Sequence, residues 1–168
     1  MTERKTLLVG QSGGPTPVIN ASLAGLIAGG RGRFDRILGL RHGVEGALAD
    51  DLVDLTEMSD SDLDALRRTP AAALGSCRHK LSETEEGRVL ETLARRGVTA
   101  FAYIGGNDSM DTCARLAERA ERGGQELAVY GVPKTIDNDL VGTDHCPGYG
   151  SAARYWATVT QEATRDLA

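Results

Sequence analysis

The segment Pro133–Asp139 (PKTIDND) combines the side chains that transfer of a phosphoryl group requires. Such a transfer needs cations on the phosphates, a positioned nucleophile and a base that accepts its proton. Lys134 offers a charge and Thr135 a hydroxyl that can orient a ligand. Asp137 and Asp139, two residues apart, offer a base and a supporting carboxylate. On these residues alone, a solvated polar loop is the alternative interpretation.

Two further loops have the composition of phosphate-binding turns. Gly10–Pro17 (GQSGGPTP) and Gly105–Ser109 (GGNDS) each lead from a predicted strand into a predicted helix. Glycines let the backbone approach a phosphate, and a helix N-terminus adds free N–H groups. The first loop is neither a Walker loop nor a dinucleotide fingerprint, and a structural turn is its alternative interpretation. In the second loop, Asp108 or Ser109 is either an N-cap or a group beside a phosphate and its magnesium ion.

Short apolar strands alternate with helical patterns along the chain. The predicted strands cover residues 6–9, 36–40, 52–55, 99–104 and 127–132. The predicted helices cover residues 17–28, 60–68, 83–96, 109–122 and 151–167. This alternation predicts an α/β fold with an open, mainly parallel sheet and helices on both faces. Ligands of such sheets bind outside the carboxyl ends of the strands, so we expect the three polar loops to converge on one ligand.

Composition narrows the functional classes. The net charge of -5 is spread along 168 residues without a basic run, which argues against nucleic acid or an anionic membrane as a partner. Three separated cysteines with no CxxC pair suggest neither a zinc site nor a disulfide framework. The apolar run at the N-terminus is too short for a signal peptide or a membrane span. These features together predict a cytoplasmic protein.

Four motifs in order resemble the phosphofructokinase family. GGNDS is followed by PKTIDNDLVGTD, and both come after SGGPTPVINASL and LGSCRHKL (Leu74–Leu81). The similarity extends over essentially the whole chain. It implies a phosphotransferase of sugar metabolism that uses Mg2+ and acts on fructose 6-phosphate. Nicotinamide nucleotide and lipid kinases share a GGDG-like loop, but those families lack PKTIDND.

The resemblance also implies roles for individual residues. Asp137 would take the proton from the 1-hydroxyl of fructose 6-phosphate, and Arg78 would reach the transferred phosphoryl group. The implied catalytic residues are Asp137, Lys134, Asp108, Arg78 and Asp139. The implied donor-binding residues are Gly13, Gly14, Arg78, Gly106, Asp108 and Ser109. The implied sugar-phosphate residues are Thr135, Ile136 and Asp137, and the implied metal ligands are Asn107, Asp108 and Asp139. Asn107 departs from the family, which usually has an aspartate there.

Two residues bear on the identity of the phosphoryl donor. Members that use ATP resemble GGDGS in the second loop and have glycine where this chain has Lys134. Asp108 puts bulk and negative charge where the α-phosphate of a nucleotide would lie, and like charges in a partly desolvated site repel. Lys134 adds a cation that would stabilise pyrophosphate as a leaving group. The pair therefore predicts pyrophosphate as donor, with an ATP-dependent enzyme as the alternative.

The resemblance implies a longer protein than these 168 residues. Family members have two α/β domains with the active site between them, and they form homodimers or homotetramers. We expect residues 1–168 to be the N-terminal domain, ending in the helix after the catalytic loop, with the second domain outside this chain. The full-length form is expected to be a homo-oligomer. A non-catalytic phosphate-binding or regulatory module is the alternative function.

Overall fold

The computed structural model describes residues 4–167 and contains one five-stranded sheet. The strands are β1 (Thr6–Gln11), β2 (Arg36–Leu40), β3 (Leu52–Asp54), β4 (Ala100–Gly105) and β5 (Ala128–Pro133). Their order in the sheet is β3-β2-β1-β4-β5. All neighbours are parallel except β3, which runs antiparallel to β2 at one edge. The predicted mainly parallel α/β sheet is therefore confirmed.

Six helices surround or follow the sheet within residues 4–167. They are α1 (Pro17–Gly30), α2 (Val44–Ala49), α3 (Asp60–Arg68), α4 (Glu83–Arg95), α5 (Asn107–Arg122) and α6 (Tyr149–Asp166). Two apolar cores lie on opposite faces of the sheet, one involving α1 and α3 and the other α2, α4 and α5. Helices on both faces are thus confirmed. No helix in the described part of the chain is long and apolar enough to cross a membrane.

Strands β1 and β4 lie inside the sheet, with a neighbouring strand on each side. Every residue of β1 and β4 is buried, because both strands have neighbours on each side and helices on each face. Residues paired between the two strands include Gly10 with Tyr103 and Gln11 with Ile104. β1 therefore extends two residues beyond its predicted end at Val9. This extension places Ser12 at the carboxyl edge, directly beside the end of β4.

The structure differs from the predicted helices at two places. The short helix α2 was not predicted, because its two turns lack a side-chain cap and begin after Gly43, whose φ is 59°. Helix α5 begins at Asn107 with Gly106 as its N-cap, two residues before the predicted start. The N-cap interpretation of Asp108 or Ser109 is therefore wrong. The backbone turns into the helix as soon as β4 ends.

Candidate active site

One cleft of about 580 Å3 lies at the carboxyl ends of β1, β4 and β5. It is formed by the loops that follow these strands and by the segment that precedes α4. All the residues that the sequence analysis singled out line it: Gly13, Gly14, Arg78, Gly106, Asn107, Asp108, Ser109, Lys134, Thr135, Ile136, Asp137 and Asp139. Their convergence follows from the parallel topology, which brings the carboxyl ends of neighbouring strands to one edge.

The first loop is held by backbone hydrogen bonds to two other segments. The Ser12 N–H donates to the Ile104 carbonyl at 2.8 Å, and the Gly13 N–H donates to the Cys77 carbonyl at 3.1 Å. Gly13 has a φ of 75°, and a Cβ added there would lie 3.3 Å from Lys134 Nζ. Glycine at this position therefore permits the left-handed turn and leaves open space beside a cation.

The second loop joins β4 to α5, and its residues pack closely against the first loop. The Ser109 hydroxyl forms a hydrogen bond with the Ser12 hydroxyl beneath the first loop. A Cβ added to Gly105 would overlap both hydroxyls. Ser109 is buried, so its side chain ties two loops together instead of standing free in the cleft. Asn107 and Asp108, in contrast, are exposed in the first turn of α5.

Two polar pairs connect α5 to its surroundings in the cleft. Asn107 Nδ2 donates a hydrogen bond to Asp139 Oδ2 at 2.9 Å. Asp108 Oδ1 lies 3.2 Å from Lys80 Nζ, which belongs to the segment before α4. The first pair places an amide group and a carboxylate side by side, with the amide nitrogen facing the carboxylate. The second gives the Asp108 carboxylate a cationic neighbour at the mouth of the cleft.

Lys134, on the third loop, contacts both the first and the second loop. Its backbone N–H donates to the Gly105 carbonyl at 2.9 Å, which continues the β4–β5 ladder past the end of the sheet. Its Nζ donates to the Gly14 carbonyl at 2.6 Å, and the residue is buried. Burial lowers the pKa of Lys134, the positive charge of Arg78 lowers it further, and Asp137 opposes the shift. Lys134 is thus a poorly solvated cation at the base of the cleft.

The remainder of the third loop positions Asp137, which is exposed to solvent. The Asp137 N–H donates to Thr135 Oγ1 at 3.0 Å. The Thr135 N–H donates to the Pro147 carbonyl at 2.9 Å, so the loop is fixed against the segment before α6. Asn138, with a φ of 57°, accepts a hydrogen bond from the Cys146 N–H at 2.9 Å. Within residues 4–167 no hydrogen bond or ion pair engages the Asp137 carboxylate, which leaves it available to accept a proton.

The charges in the cleft suit a phosphate-containing ligand. Arg78 and Lys134 lie on the side of the glycine loop, and Asp137 and Asp139 lie on the third loop. The phosphates of a donor can therefore bind the two cations and the backbone of the glycine loop. The hydroxyl of an acceptor can contact a carboxylate of the third loop. In the described part of the chain no three His, Cys, Asp or Glu side chains form a group that could hold a metal ion. Asp137 and Asp139 are the carboxylates that the third loop presents in the cleft.

Several residues of this cleft were not predicted from the sequence. Ser12 and Tyr103 lie at its base, and Lys80 and Arg115 lie along one side. Burial raises the pKa of the Tyr103 hydroxyl, which accepts a hydrogen bond from the Val44 N–H at 3.3 Å. Position in the SCRHK segment, two residues after Arg78, was the only sequence signal for Lys80. The others became apparent only from the packing of distant segments.

The chain is an α/β protein with a polar cleft at the carboxyl edge of its sheet. The chain matches the Phosphofructokinase family over residues 6–168. It belongs to the phosphofructokinase family, and the resemblance seen in the four motifs is confirmed.

Individual relatives carry more specific names. The chain is 47% identical over 167 residues to the pyrophosphate–fructose 6-phosphate 1-phosphotransferase of Xanthomonas campestris, covering 96% of this chain and 40% of that protein. It is 46% identical over 166 residues to the enzyme of the same name from Halomonas elongata, covering 94% and 40%. The crystal structure of pyrophosphate-dependent phosphofructokinase from Nitrosospira multiformis matches with a TM-score of 0.91 and 44% identity, covering 96% of this chain and 42% of that one. The chain therefore spans about two fifths of the length of these relatives.

Proposed function

We propose that this chain provides the donor side of an enzyme that transfers a phosphoryl group from pyrophosphate to the 1-hydroxyl of fructose 6-phosphate. The observation that carries the proposal is the buried Lys134 ammonium, held at the base of the cleft beside Gly13, Gly14 and Arg78. Asp137 lies on the same loop, and its carboxylate forms no hydrogen bond or ion pair with residues 4–167. The names of the relatives, which refer to pyrophosphate and fructose 6-phosphate, support the same assignment.

In this proposal the 1-hydroxyl oxygen of the sugar phosphate attacks the terminal phosphorus of pyrophosphate. The bond from that phosphorus to the bridging oxygen breaks, and inorganic phosphate leaves. The Asp137 carboxylate accepts the hydroxyl proton, which is consistent with its exposure and with the absence of a partner for it among residues 4–167. Lys134 and Arg78 stabilise the charge that develops on the transferred group and the leaving phosphate. The products are fructose 1,6-bisphosphate and phosphate.

A magnesium ion fits this cleft if the protein and the substrate phosphates coordinate it together. Asn107 and Asp139 are adjacent, joined by a hydrogen bond from the amide nitrogen to the carboxylate. These two side chains would hold the ion, which would neutralise the pyrophosphate charge and orient it. Mg2+ is commonly bound by one or two carboxylates together with substrate phosphates, so a partial protein ligand set is sufficient. The predicted ligand Asp108 fits less well, because Lys80 already pairs with its carboxylate.

The donor assignment rests on Asp108 and Lys134 together. Asp108 lies in the exposed first turn of α5, at the mouth of the cleft. The additional phosphate and nucleoside of bound ATP would have to lie against this side chain, whereas bound pyrophosphate is shorter and would lie deeper in the cleft. Pyrophosphate lacks the nucleoside contacts that ATP would make. The Lys134 cation, poorly solvated at the base of the cleft, compensates for them by binding the leaving phosphate.

The acceptor side is proposed to require more than residues 1–168. This follows the family expectation that a second domain completes the sugar pocket, and the relatives are more than twice as long as the matched part. Formation of homo-oligomers stays a prediction from the family resemblance. The chain alone is therefore proposed to bind pyrophosphate without completing the transfer.

Isothermal titration calorimetry of the 168-residue chain with pyrophosphate and with ATP, each with magnesium, tests the donor assignment. We expect heat of binding for pyrophosphate and at least tenfold weaker binding for ATP, because the Asp108 side chain obstructs the additional part of the nucleotide. Equal or tighter binding of ATP would contradict the assignment. Phosphorus NMR after addition of fructose 6-phosphate tests the second claim, and formation of fructose 1,6-bisphosphate by this chain would show that it needs no further domain.

A further inference from the structure

Lys80 forms the cationic half of an ion pair at the mouth of the cleft. Its Nζ lies 3.2 Å from Asp108 Oδ1, and the two side chains are 76% and 80% exposed. The two residues come from different segments, one from the loop before α4 and the other from the first turn of α5. Both line the same cleft as Arg78 and Lys134. The pair therefore stands at the edge where a phosphate donor enters.

The backbone on either side of Lys80 is fixed by neighbouring groups. Arg115 of α5 donates a hydrogen bond to the Leu81 carbonyl at 3.3 Å and also pairs with the buried Glu86 carboxylate. His79 Nε2 lies 3.0 Å from Glu85 Oε1, and Glu85 also caps the start of α4. Since α5 carries both Arg115 and Asp108, one helix positions both members of the pair. The approach of Lys80 to Asp108 is thus built into the packing of α4 against α5.

An exposed ion pair of this kind contributes little to the stability of a fold, because water already solvates both charges. Its electrostatic consequence for a ligand is larger. A bare carboxylate at the cleft mouth would repel pyrophosphate, a ligand with several negative charges, and would oppose the attraction of Arg78 and Lys134. Lys80 cancels that repulsion while the bulk of Asp108 remains in place.

We infer that Lys80 is a positioning and specificity residue for the pyrophosphate donor, acting through Asp108. It neutralises the Asp108 carboxylate without removing its bulk, so that pyrophosphate enters while the paired side chains obstruct a longer donor. This inference rests on the proposed pyrophosphate-dependent function. Lys80 acts through its neighbour and not on the reacting atoms.

The test is a double-mutant cycle on pyrophosphate affinity, measured by calorimetry with the 168-residue chain and magnesium pyrophosphate. Lys80→Met keeps the aliphatic stem and removes the charge. We expect it to weaken pyrophosphate binding about fivefold when Asp108 is present, in line with the upper range for exposed charge pairs. In the Asp108→Gly background the same change should alter the affinity by less than about twofold, because no carboxylate is left to neutralise.

A matched control is Arg122→Met, which removes the cation of another exposed pair on α5. Arg122 and Glu118 are 76% and 71% exposed, and they lie at the other end of the helix from the cleft. This control should leave pyrophosphate affinity unchanged. Circular dichroism and urea unfolding will show that each variant folds like the parent, as the exposure of Lys80 leads us to expect.

The outcomes separate the inference from the proposed function. If the parent chain binds no pyrophosphate, the proposed function fails and the inference fails with it. If the parent binds but Lys80→Met binds equally well, the inference alone is wrong. An equal loss in both backgrounds would also overturn it, because Lys80 would then act on the ligand directly and not through Asp108.

Discussion

The Lys134 ammonium donates a hydrogen bond to the Gly14 carbonyl at 2.6 Å, which joins the loop after β5 to the loop after β1. The contact spans 120 positions of sequence and places a buried cation against a neutral acceptor. Burial and the neighbouring Arg78 charge both lower the pKa of the lysine. The folded protein thus keeps a cation where it is poorly solvated, which is unfavourable for stability and favourable for binding an anion.

Replacing Lys134 with methionine should therefore change the stability of the fold and the affinity for pyrophosphate in opposite directions. We expect Lys134→Met to raise the free energy of unfolding at pH 7 by about 1 kcal/mol, because the cost of burying the charge disappears. The affinity for pyrophosphate should fall at least about tenfold, because a charge-assisted contact to phosphate is lost. Urea unfolding and calorimetry measure the two quantities. A variant that is both less stable and equally able to bind pyrophosphate would refute this account.

The pH dependence of the same variant follows from the sign of the pKa shift. The ordinary pKa of lysine, 10.5, applies to the unfolded chain, and the folded value is lower. Between the two values the unfolded chain binds more protons, so the stability contributed by this group rises with pH. The advantage of Lys134→Met should be full below the folded pKa and should shrink as pH rises towards 10.5. Urea unfolding of both proteins at several pH values between 7 and about 10.5 measures the difference. A constant difference would show that Lys134 has an ordinary pKa.

Gly105 provides a test of the junction between β4 and α5. A Cβ at this position would lie 2.5 Å from Ser109 Cβ and would overlap the hydroxyl that bonds Ser12. Gly105→Ala should lower the free energy of unfolding by about 1 to 3 kcal/mol through overpacking. It should also weaken pyrophosphate binding, because the first turn of α5 must shift.

The same substitution at Gly25 is the matched control for Gly105→Ala. Gly25 lies within α1, and nothing lies within 4 Å of a Cβ added there. Gly25→Ala should stabilise the chain by about 0.5 to 1 kcal/mol through helix propensity. Urea unfolding measures both variants. If Gly105→Ala proved as well tolerated as Gly25→Ala, the close packing of the two serine hydroxyls would not constrain the loop.

Asn107 offers a test of the magnesium assignment. Asn107→Asp would place a second carboxylate where the amide now donates to Asp139 at 2.9 Å. Adjacent carboxylates repel each other, and a divalent cation relieves that repulsion. We therefore expect magnesium affinity, measured by calorimetry in the presence of pyrophosphate, to increase roughly tenfold. Asn107→Ala, which removes the amide oxygen, should weaken it. Unchanged affinity in both variants would place the ion elsewhere.

The sequence predicted most elements because their signals are local. Helices α3 and α4 begin at capping boxes formed by Ser59 with Asp62 and by Ser82 with Glu85, and each box is visible as a short spacing of residue types. Helix α2 had no such signal and was missed. The early start of α5 was also missed, because its N-cap is Gly106, which forms no side-chain cap. The Ser109 side chain, which could have capped the helix, instead forms a hydrogen bond with Ser12 under the first loop.

The sequence by itself determined the residue types of the site, their order and the family to which they belong. Parallel strands followed by polar loops also implied that these loops share one edge. Only the tertiary structure decided which side chains meet: Lys134 with Gly14, Asn107 with Asp139, and Lys80 with Asp108. The reason is physical. Such contacts join segments 28 to 120 positions apart, and their geometry depends on how the helices pack against the sheet, which no local pattern of residues records.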